Sequence, residues 1–292
     1  MTNSGIDARC KSDYPIVMGI ININHESFYA ASRISGSDDF ISRFTGMLND
    51  GASIIDIGAC STKPGSTPVS EIQEAEYLMP QLKALAGRWD EIKERLPEDK
   101  RVVPNIGKLI SIDTFRSEIV KMVYDLIGPF TVNDISAGED DRGMLDCVGK
   151  LGLPYVAMHK RGTPSTMQTL CEYSQGVVTE VINYFKDFEK RAQDAGITEW
   201  IVDPGFGFAK TIKQNYEMMA RLDEFKSFGR PVLVGISRKS MIWKLLATTP
   251  EETLPQTTAL NLLALTKGAD IIRVHDVREG VSCLKMFEQL SL

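Results

Sequence analysis

The run Pro15-Ile-Val-Met-Gly-Ile-Ile-Asn-Ile23, followed by Asn24-His-Glu-Ser-Phe28, decides between the two folds that suit this chain. Its apolar residues are consecutive rather than alternating, which is typical of a parallel strand buried on both faces. A doubly wound open sheet would usually place a Gly-x-Gly-x-x-Gly turn directly after its first strand. Because polar residues follow here instead, the sequence favours a barrel.

Similar runs recur along the chain, and they alternate with stretches whose apolar residues are spaced three or four apart, as in a helix. The apolar runs are Pro15–Ile23, Ser53–Ile57, Leu109–Asp113, Phe130–Asn133, Tyr155–His159, Trp200–Asp203, Pro231–Gly235 and Ala269–Val274. The helical stretches are Phe40–Leu48, Ile72–Leu85, Ile119–Leu126, Met144–Leu151, Val177–Phe185, Tyr216–Phe225, Met241–Ala247, Thr257–Thr266 and Val277–Leu290. This alternation predicts a (β/α)8 TIM barrel, as a single domain over residues 1–292.

Composition and charge exclude several classes of protein. With 33 Lys and Arg against 39 Asp and Glu, the 292-residue chain has a net charge of −6, so we expect no nucleic-acid partner. No apolar stretch approaches the ~18 residues of a membrane span, and the first residues lack the apolar core of a secretory signal. The 5 cysteines form no CxxC pair, which fits neither a disulfide framework nor a zinc site. We therefore expect a cytoplasmic protein without a membrane partner.

Polar residues stand at the carboxyl ends of the predicted strands. They are Asn22, Asp56, Asp113, Asn133, Asp134, His159, Asp203, Ser237, Arg238, Lys239, Arg273 and His275. In a barrel of parallel strands these ends meet at one mouth, where the active sites of this fold lie. A single Asp at such a place often only caps the next helix, but polar groups at every strand end indicate a shared site.

The residue types in this mouth predict the kind of ligand. Asp113, Asn133 and Asp203 offer acceptors for the N–H groups of a nitrogen heterocycle. A second group is cationic, which indicates an anionic substrate such as a phosphate. This group comprises Lys63, Arg238, Lys239, Arg273 and His275. Asn22 and Thr62 are neutral oxygen donors beside it, able to bind Mg²⁺ together with substrate oxygens and water.

Eight motifs, in register, resemble the dihydropteroate synthase family of pterin-binding enzymes. They are Met18-Gly-Ile-Ile-Asn22, Asp56-Ile-Gly58 with Ser61-Thr-Lys-Pro-Gly65, Ser111-Ile-Asp-Thr114, Asn133-Asp-Ile-Ser136, Met158-His-Lys-Arg-Gly-Thr-Pro-Ser-Thr-Met-Gln168, Asp203-Pro-Gly-Phe-Gly-Phe208, Gly235-Ile-Ser-Arg-Lys-Ser240 and Arg273-Val-His275. The similarity extends from about Ile16 to Val277. It implies a TIM barrel, usually a homodimer, which joins 6-hydroxymethyl-7,8-dihydropterin diphosphate to 4-aminobenzoate in folate biosynthesis and releases diphosphate.

The resemblance also implies roles for individual residues. The pterin ring would be held deep in the barrel by Asp113, Asn133, Asp203 and Lys239. The diphosphate and Mg²⁺ would be bound by Asn22, Thr62, Lys63, Arg273 and His275, with Asn22 as the metal ligand. The aminobenzoate, or a sulfonamide in its place, would be surrounded by Ser27, Phe28, Thr62, Phe208 and Ser237. The implied catalytic residues are Lys239, Asp113, Asp203, Arg273 and His275.

The reaction that the family implies is a dissociative substitution, in which diphosphate leaves before the arylamine attacks. Positioning and electrostatic stabilisation are then enough, and no side-chain nucleophile is required. Two loops depart from the family pattern. Asn24-His-Glu26 stands where Thr-Pro-Asp is usual, and Cys60-Ser-Thr-Lys63 replaces Glu-Ser-Thr-Arg. Lys63 keeps the positive charge but loses the bidentate phosphate geometry of arginine.

Two other functions remain open from the sequence. A pterin-binding methyltransferase that moves a methyl group from a folate to a corrinoid would share the barrel and the pterin carboxylates. It would not need the basic segments Ser237-Arg-Lys239 and Arg273-Val-His275. A pterin-binding paralogue without turnover, owing to its altered loops, is the second alternative. Diphosphate release that requires both substrates would distinguish the synthase from either one.

Overall fold

Eight parallel strands, one in each apolar run, form a barrel in the structure, a computed structural model that describes residues 15–23, 36–60, 69–163 and 166–290. The strands are β1 (Ile16–Asn22), β2 (Ile54–Gly58), β3 (Ile110–Asp113), β4 (Thr131–Asp134), β5 (Tyr155–Met158), β6 (Trp200–Asp203), β7 (Leu233–Val234) and β8 (Ile271–Val274). Their order is β6-β5-β4-β3-β2-β1-β8-β7, and a parallel bridge between Val202 and Val232 joins the two ends. The predicted (β/α)8 barrel is confirmed, and the prediction against an open sheet is correct.

The strand register places alternate side chains on opposite sides of the barrel wall. Outward side chains such as Val17, Ile55 and Val132 pack against the surrounding helices in the main hydrophobic core. Inward side chains at the amino-terminal end of the barrel form a separate apolar cluster of Met18, Ile54, Val156, Ile201, Leu233 and Ile271. The inward positions nearer the carboxyl ends are mostly polar, and Thr131 at the start of β4 is polar as well. Most of the runs therefore look apolar in the sequence until they approach their carboxyl ends.

Helices follow the strands and cover the outside of the barrel. They are α1 (Ser37–Asn49), α2 (Glu71–Gly87), α3 (Trp89–Lys93), α4 (Glu98–Arg101), α5 (Ser117–Ile127), α6 (Met144–Leu151), α7 (Val177–Asp194), α8 (Ile212–Ala220), α9 (Ser240–Trp243), α10 (Leu254–Thr266) and α11 (Val277–Leu290). Local sequence sets several of their ends. Thr211 and Gln214 form a capping box at the start of α8. At the end of α6, Gly152 adopts the left-handed conformation, with φ of 64°.

Two of the predicted helices are shorter than their apolar spacing suggests. α8 ends at Ala220, and the chain continues as a 3-10 helix over Leu222–Phe228. Spacing of three residues fits a 3-10 helix as well as an α-helix, so the pattern alone cannot separate them. α9 covers only four residues, because Leu245 and Leu246 beyond it are exposed rather than packed on the barrel.

The described residues also bear on thiols and membranes. Cys60, Cys147, Cys171 and Cys283 carry free thiols, as the scattered positions of the cysteines predict. Over the same residues, no helix combines the length and the apolar character needed to cross a bilayer.

Candidate active site

The carboxyl ends of β2, β3 and β4 bring four polar side chains together inside the barrel. The register pairs Asp56 with Ser111 and Asp113 with Asn133, so all four point to the same side of the wall. Gly58 stands beside Asp113 and has no side chain. A Cβ atom there would lie 3.1 Å from the Cβ of Asp113, so the glycine leaves room for the carboxylate.

Asp56 links three other strands through its fully buried carboxylate. Its Oδ1 accepts a hydrogen bond from Ser111 Oγ at 2.6 Å. Its Oδ2 accepts from Asn133 Nδ2 at 3.0 Å and from Arg273 Nε at 2.7 Å. Because a carboxylate only accepts, it fixes the Asn133 amide with Nδ2 toward Asp56. The amide oxygen of Asn133 is then left to accept from a ligand.

Arg273 connects Asp56 to Asp113 across the floor of the mouth. Its Nη2 lies 2.9 Å from Asp113 Oδ2. Burial raises the pKa of Asp113 to about 7, although the guanidinium lowers it and the charge of Asp56 raises it further. In the structure, the guanidinium of Arg273 therefore binds the carboxylates of Asp56 and Asp113. Its predicted role at the diphosphate remains a prediction.

Asp203 and Lys239 face each other on the opposite side of the mouth. Burial raises the pKa of Asp203, while the Lys239 charge lowers it, and its Oδ1 accepts from the Gly205 N–H at 2.8 Å. Lys239 Nζ donates to the Phe206 carbonyl at 2.6 Å and lies 4.9 Å from the centre of the Phe208 ring. Burial lowers the pKa of Lys239 to about 8, against the Asp203 charge that raises it. A lysine held in this way is both a donor and a cation–π partner.

Ser237 and His275 lie together where β7 and β8 end. The His275 ring Nδ1 is 3.0 Å from Ser237 Oγ, and its backbone N–H donates to the same oxygen at 3.3 Å. Arg238, between Ser237 and Lys239, forms an ion pair with Asp276 at 2.6 Å. Of the predicted cationic group, Arg238 therefore already has a carboxylate partner within the loops.

Asn22 is the predicted metal ligand, and it lies half-buried at the end of β1, beside Gly58. Its amide oxygen is a hard, neutral donor that suits Mg²⁺. In the described part of the chain, no group of three or more His, Cys, Asp or Glu side chains is arranged to bind a metal. This donor set fits a cation that takes most of its oxygens from a substrate and water. Ser27, Phe28, Thr62 and Lys63 lie outside the described residues.

Two polar strand ends do not reach the mouth. Asp134 faces outward, where its buried carboxylate accepts from Tyr155 Oη at 2.6 Å and from the backbone of the Ser136–Gly138 turn. His159 also lies outside the wall, with its ring 4.9 Å from the ring of Tyr184 on α7. Each directly follows an inward residue, Asn133 or Met158, so the period of two places it on the other face.

Asp56 is a functional residue to which the sequence assigns no role. In the sequence it is only a polar residue at a strand end, yet it contacts two of the predicted ligand-binding side chains, Asn133 and Arg273. The alternation of side chains along a strand indicates where Asp56 points. Ile54 belongs to the inner apolar cluster, so Asp56 must also point inward.

Comparison with known proteins agrees with this geometry. The family model of the pterin-binding enzymes matches residues 18–275. The dihydropteroate synthase of Escherichia coli strain K12 is 37% identical over 277 residues, covering 94% of this chain and 91% of that protein. The Haemophilus influenzae dihydropteroate synthase is 34% identical over 276 residues, covering 94% of this chain and 93% of that protein.

Solved structures lead to the same family. The crystal structure of Yersinia pestis dihydropteroate synthase with a sulfonamide drug complex is 34% identical, has a TM-score of 0.85 and covers 98% of both chains. The Xanthomonas albilineans dihydropteroate synthase with 4-aminobenzoic acid is 31% identical, with a TM-score of 0.80, and covers 96% of this chain and 94% of that one. The chain therefore belongs to the dihydropteroate synthase family of pterin-binding enzymes and is a transferase of folate biosynthesis.

Proposed function

We propose that the chain joins 6-hydroxymethyl-7,8-dihydropterin diphosphate to 4-aminobenzoate, giving 7,8-dihydropteroate and diphosphate. The observation that carries the proposal is the floor of the barrel, where Asp113, Asn133 and Asp203 take inward positions on their strands and Lys239 lies close enough to Asp203 and Asp113 to feel their charges. Such a set of acceptors with one cation suits a flat heterocycle that carries several N–H groups and a carbonyl. A corrinoid methyltransferase would not account for the basic residues around the mouth.

The pterin would bind with its N–H groups toward the carboxylates of Asp113 and Asp203 and the amide oxygen of Asn133. Asp56 supports this arrangement because it holds the Asn133 amide in one orientation. Lys239 would donate to the ring from the side where it now contacts the Phe206 carbonyl. Groups that are fixed before the ligand arrives do not have to be ordered on binding.

The bond that breaks joins the pterin methylene carbon to the diphosphate oxygen, and its electron pair leaves with the diphosphate. Ser237 and His275 stand together at the rim, where they can donate to the leaving group. The arylamine nitrogen of 4-aminobenzoate then bonds to the carbon and loses one proton to water. Phe208 would pack against the aminobenzoate ring, since its own ring lies beside Lys239 at the mouth. These residues contribute positioning and electrostatics, so no covalent enzyme intermediate is needed.

Mg²⁺ is part of the proposal, with Asn22 as its protein ligand. When bound, the ion would supply positive charge to the diphosphate oxygens. The chain's own contribution would be the amide oxygen of Asn22, which stands at the barrel mouth at the end of β1. We also propose that the enzyme acts as a homodimer.

A diphosphate-release assay tests the proposed function. Steady release should require both the pterin diphosphate and 4-aminobenzoate, and it should fall when a chelator removes Mg²⁺. Asp203→Asn should weaken pterin diphosphate binding in calorimetry by roughly 10- to 100-fold, the loss expected for a hydrogen bond to a charged group. Asp146→Asn, on the exposed surface of α6, is the matched control and should change nothing. Pterin binding without any aminobenzoate-dependent release would contradict the proposal and favour a paralogue without turnover.

A further inference from the structure

Lys210 is a buried lysine near the end of the loop that follows β6, here called the β6 loop (residues 204–211). Only 4% of it is exposed. Its Nζ lies 3.0 Å from the His159 ring Nδ1, 2.9 Å from the Gly205 carbonyl oxygen and 3.0 Å from the Phe208 carbonyl oxygen. In its protonated form the amine has three N–H donors and no acceptor, so these three acceptors match that form fully.

His159 completes this arrangement from the end of β5. Burial, together with the Lys210 charge, keeps the pKa of His159 well below its usual value. The ring is therefore neutral at physiological pH, and Nδ1 can accept a hydrogen bond from the lysine. The backbone N–H of His159 also donates to the Asp203 carbonyl at 3.0 Å, which fixes the ring next to the start of the β6 loop.

The β6 loop fits closely against the backbone of His159. Gly205 has a φ of 73°, and a Cβ atom there would lie 1.9 Å from the His159 carbonyl oxygen. Further along, the Ala209 carbonyl accepts from Tyr173 Oη at 3.0 Å. Lys210 donates hydrogen bonds to the carbonyls of Gly205 and Phe208. It therefore links the two ends of the segment Gly205–Phe208.

That segment is the part of the loop that touches Lys239. The Phe206 carbonyl accepts from Lys239 Nζ, and the Phe208 ring lies beside the same ammonium. A Cβ atom at Gly207 would lie 3.1 Å from Lys239 Cδ, so the loop backbone also packs along the lysine side chain. A shift of the Phe208 carbonyl would therefore displace both contacts of Lys239.

Filling space does not require a lysine at this position. A methionine of similar length would occupy the same volume without the free-energy cost of burying an amine. Burial lowers the pKa of Lys210 to about 7. Besides His159, the charged and titratable groups that act on Lys210 are Asp203, Lys239, Arg161 and Cys171, whereas its hydrogen bonds go to His159, Gly205 and Phe208. What lysine adds is the set of three directed hydrogen bonds.

We propose that Lys210 and His159 are a positioning pair that holds the β6 loop, with its Phe206 carbonyl and Phe208 ring, against Lys239. Neither residue touches substrate. The inference rests on the proposed function in one respect, since Phe208 is there a neighbour of the aminobenzoate. Asp203 belongs to β6 itself and is held by the strand ladder and the Gly205 N–H. The pair therefore acts on the arylamine site through Phe208, and on the pterin site only through Lys239.

Kinetics on Lys210→Met provides the first test. The KM for 4-aminobenzoate should rise at least about tenfold, as for the loss of a hydrogen bond from a charged donor, while kcat stays within about threefold. Pterin diphosphate affinity should change by less than this KM, because Asp113 and Asn133 lie on other strands and only Lys239 would lose its contacts with the loop. The matched control is Lys160→Met, because Lys160 is also buried but its ammonium pairs at 2.5 Å with Asp140, in the loop that follows β4. An unchanged KM in Lys210→Met, or an equal rise in Lys160→Met, would overturn the proposal.

Substitutions of His159 keep the test decisive if Lys210→Met does not fold. His159→Phe preserves a ring against Tyr184 but removes the acceptor, and should raise the same KM. His159→Asn offers an amide oxygen near the position of Nδ1, and should restore the wild-type KM. Equal KM values in the two variants would contradict a role for the hydrogen bond.

Hydrogen exchange separates this inference from the proposed function because it needs no turnover. In the ligand-free protein, amides of Gly205–Phe208 should exchange faster in Lys210→Met and His159→Phe than in the wild type or in Lys160→Met. If the wild type shows no synthase activity but this exchange pattern appears, the proposed function fails while the positioning pair stands. Unchanged exchange in an active enzyme would overturn only the pair.

Discussion

Asp56 shows how one residue can organise a binding site without contacting the ligand in the proposed reaction. Its carboxylate is fully buried and accepts from Ser111, Asn133 and Arg273, which come from three other strands. A buried carboxylate is stable only when it is paired and hydrogen-bonded, and here both conditions are met. The same bonds fix which atom of the Asn133 amide is free for the pterin.

Asp56→Asn should therefore impair both stability and pterin binding. Arg273 would keep only Asp113 as a carboxylate partner, and breaking one half of a buried ion pair costs about 3–5 kcal/mol of unfolding free energy. Asp113 would then be drawn more strongly to Arg273, and Asn133 could rotate. We expect pterin diphosphate affinity to fall about tenfold, the equivalent of one hydrogen bond to a charged group, by calorimetry.

Asp134→Asn is the control for that experiment. Asp134 is equally buried, but it faces outward and holds the turn at Ser136–Gly138 together with Tyr155. Urea unfolding should show lower stability for Asp134→Asn with no change in pterin affinity. If both variants lost affinity in proportion to their lost stability, Asp56 would have no separate role in the site.

The titrations of Asp113 and Lys239 predict a narrow pH optimum. Asp113, with a pKa raised to about 7 by burial, is protonated below that pH and then accepts N–H groups poorly. Lys239, with a pKa lowered to about 8 by burial, loses its charge above that pH. The kcat/KM for pterin diphosphate reports ionisations of the free enzyme. It should rise as pH increases through about 7 and fall through about 8.

Lys239→Arg checks which group limits the alkaline side. Arginine remains protonated over this range, so the fall near pH 8 should disappear even if the maximum rate is lower. A fall that persists at the same pH in Lys239→Arg would assign the alkaline limit to another group.

At the scale of elements, the sequence predicts the barrel because strand and helix have different apolar periods. The predicted helix Met144–Leu151 matches α6 of the structure, and every predicted run contains a strand. β7 is the shortest strand, since Pro231 lacks an N–H for the ladder and only its carbonyl contributes, to the Val202 N–H. Such shortening depends on neighbouring strands and is not visible in a single run.

The site is less predictable than the fold, for a related reason. The sequence predicts Asp113, Asn133 and Asp203 as site residues because each is a polar residue at the carboxyl end of an apolar run. Whether that residue points into the barrel depends on register, and adjacent residues such as Asn133 and Asp134 take opposite sides. Lys210 and His159 are 51 residues apart in the sequence, so no local sequence pattern predicts the contact between them.

At the scale of the whole molecule, α10 and α11 carry exposed apolar side chains on their outer faces. They run side by side, with Cys283 Sγ 3.3 Å from the Thr258 carbonyl oxygen. Toward their carboxyl ends, Leu263, Met286 and Leu290 are 40%, 57% and 64% exposed. Exposed apolar side chains on neighbouring helices commonly mark a protein–protein contact. This surface is therefore our candidate for the homodimer interface.

The combined substitution Leu263→Glu and Met286→Glu should break the proposed homodimer. In a dimer with twofold symmetry each residue of the interface occurs twice, so two substitutions place four charges in the apolar contact, where unpaired charges are costly. Light scattering coupled to size exclusion should give the wild type twice the chain mass of 32.4 kDa and the double variant a single chain mass. Met122→Glu introduces a charge at a similarly exposed side chain, 41%, on α5, and should leave the dimer intact. A wild type of single chain mass would refute the homodimer, whereas a dimeric double variant would place the interface on another face of the barrel.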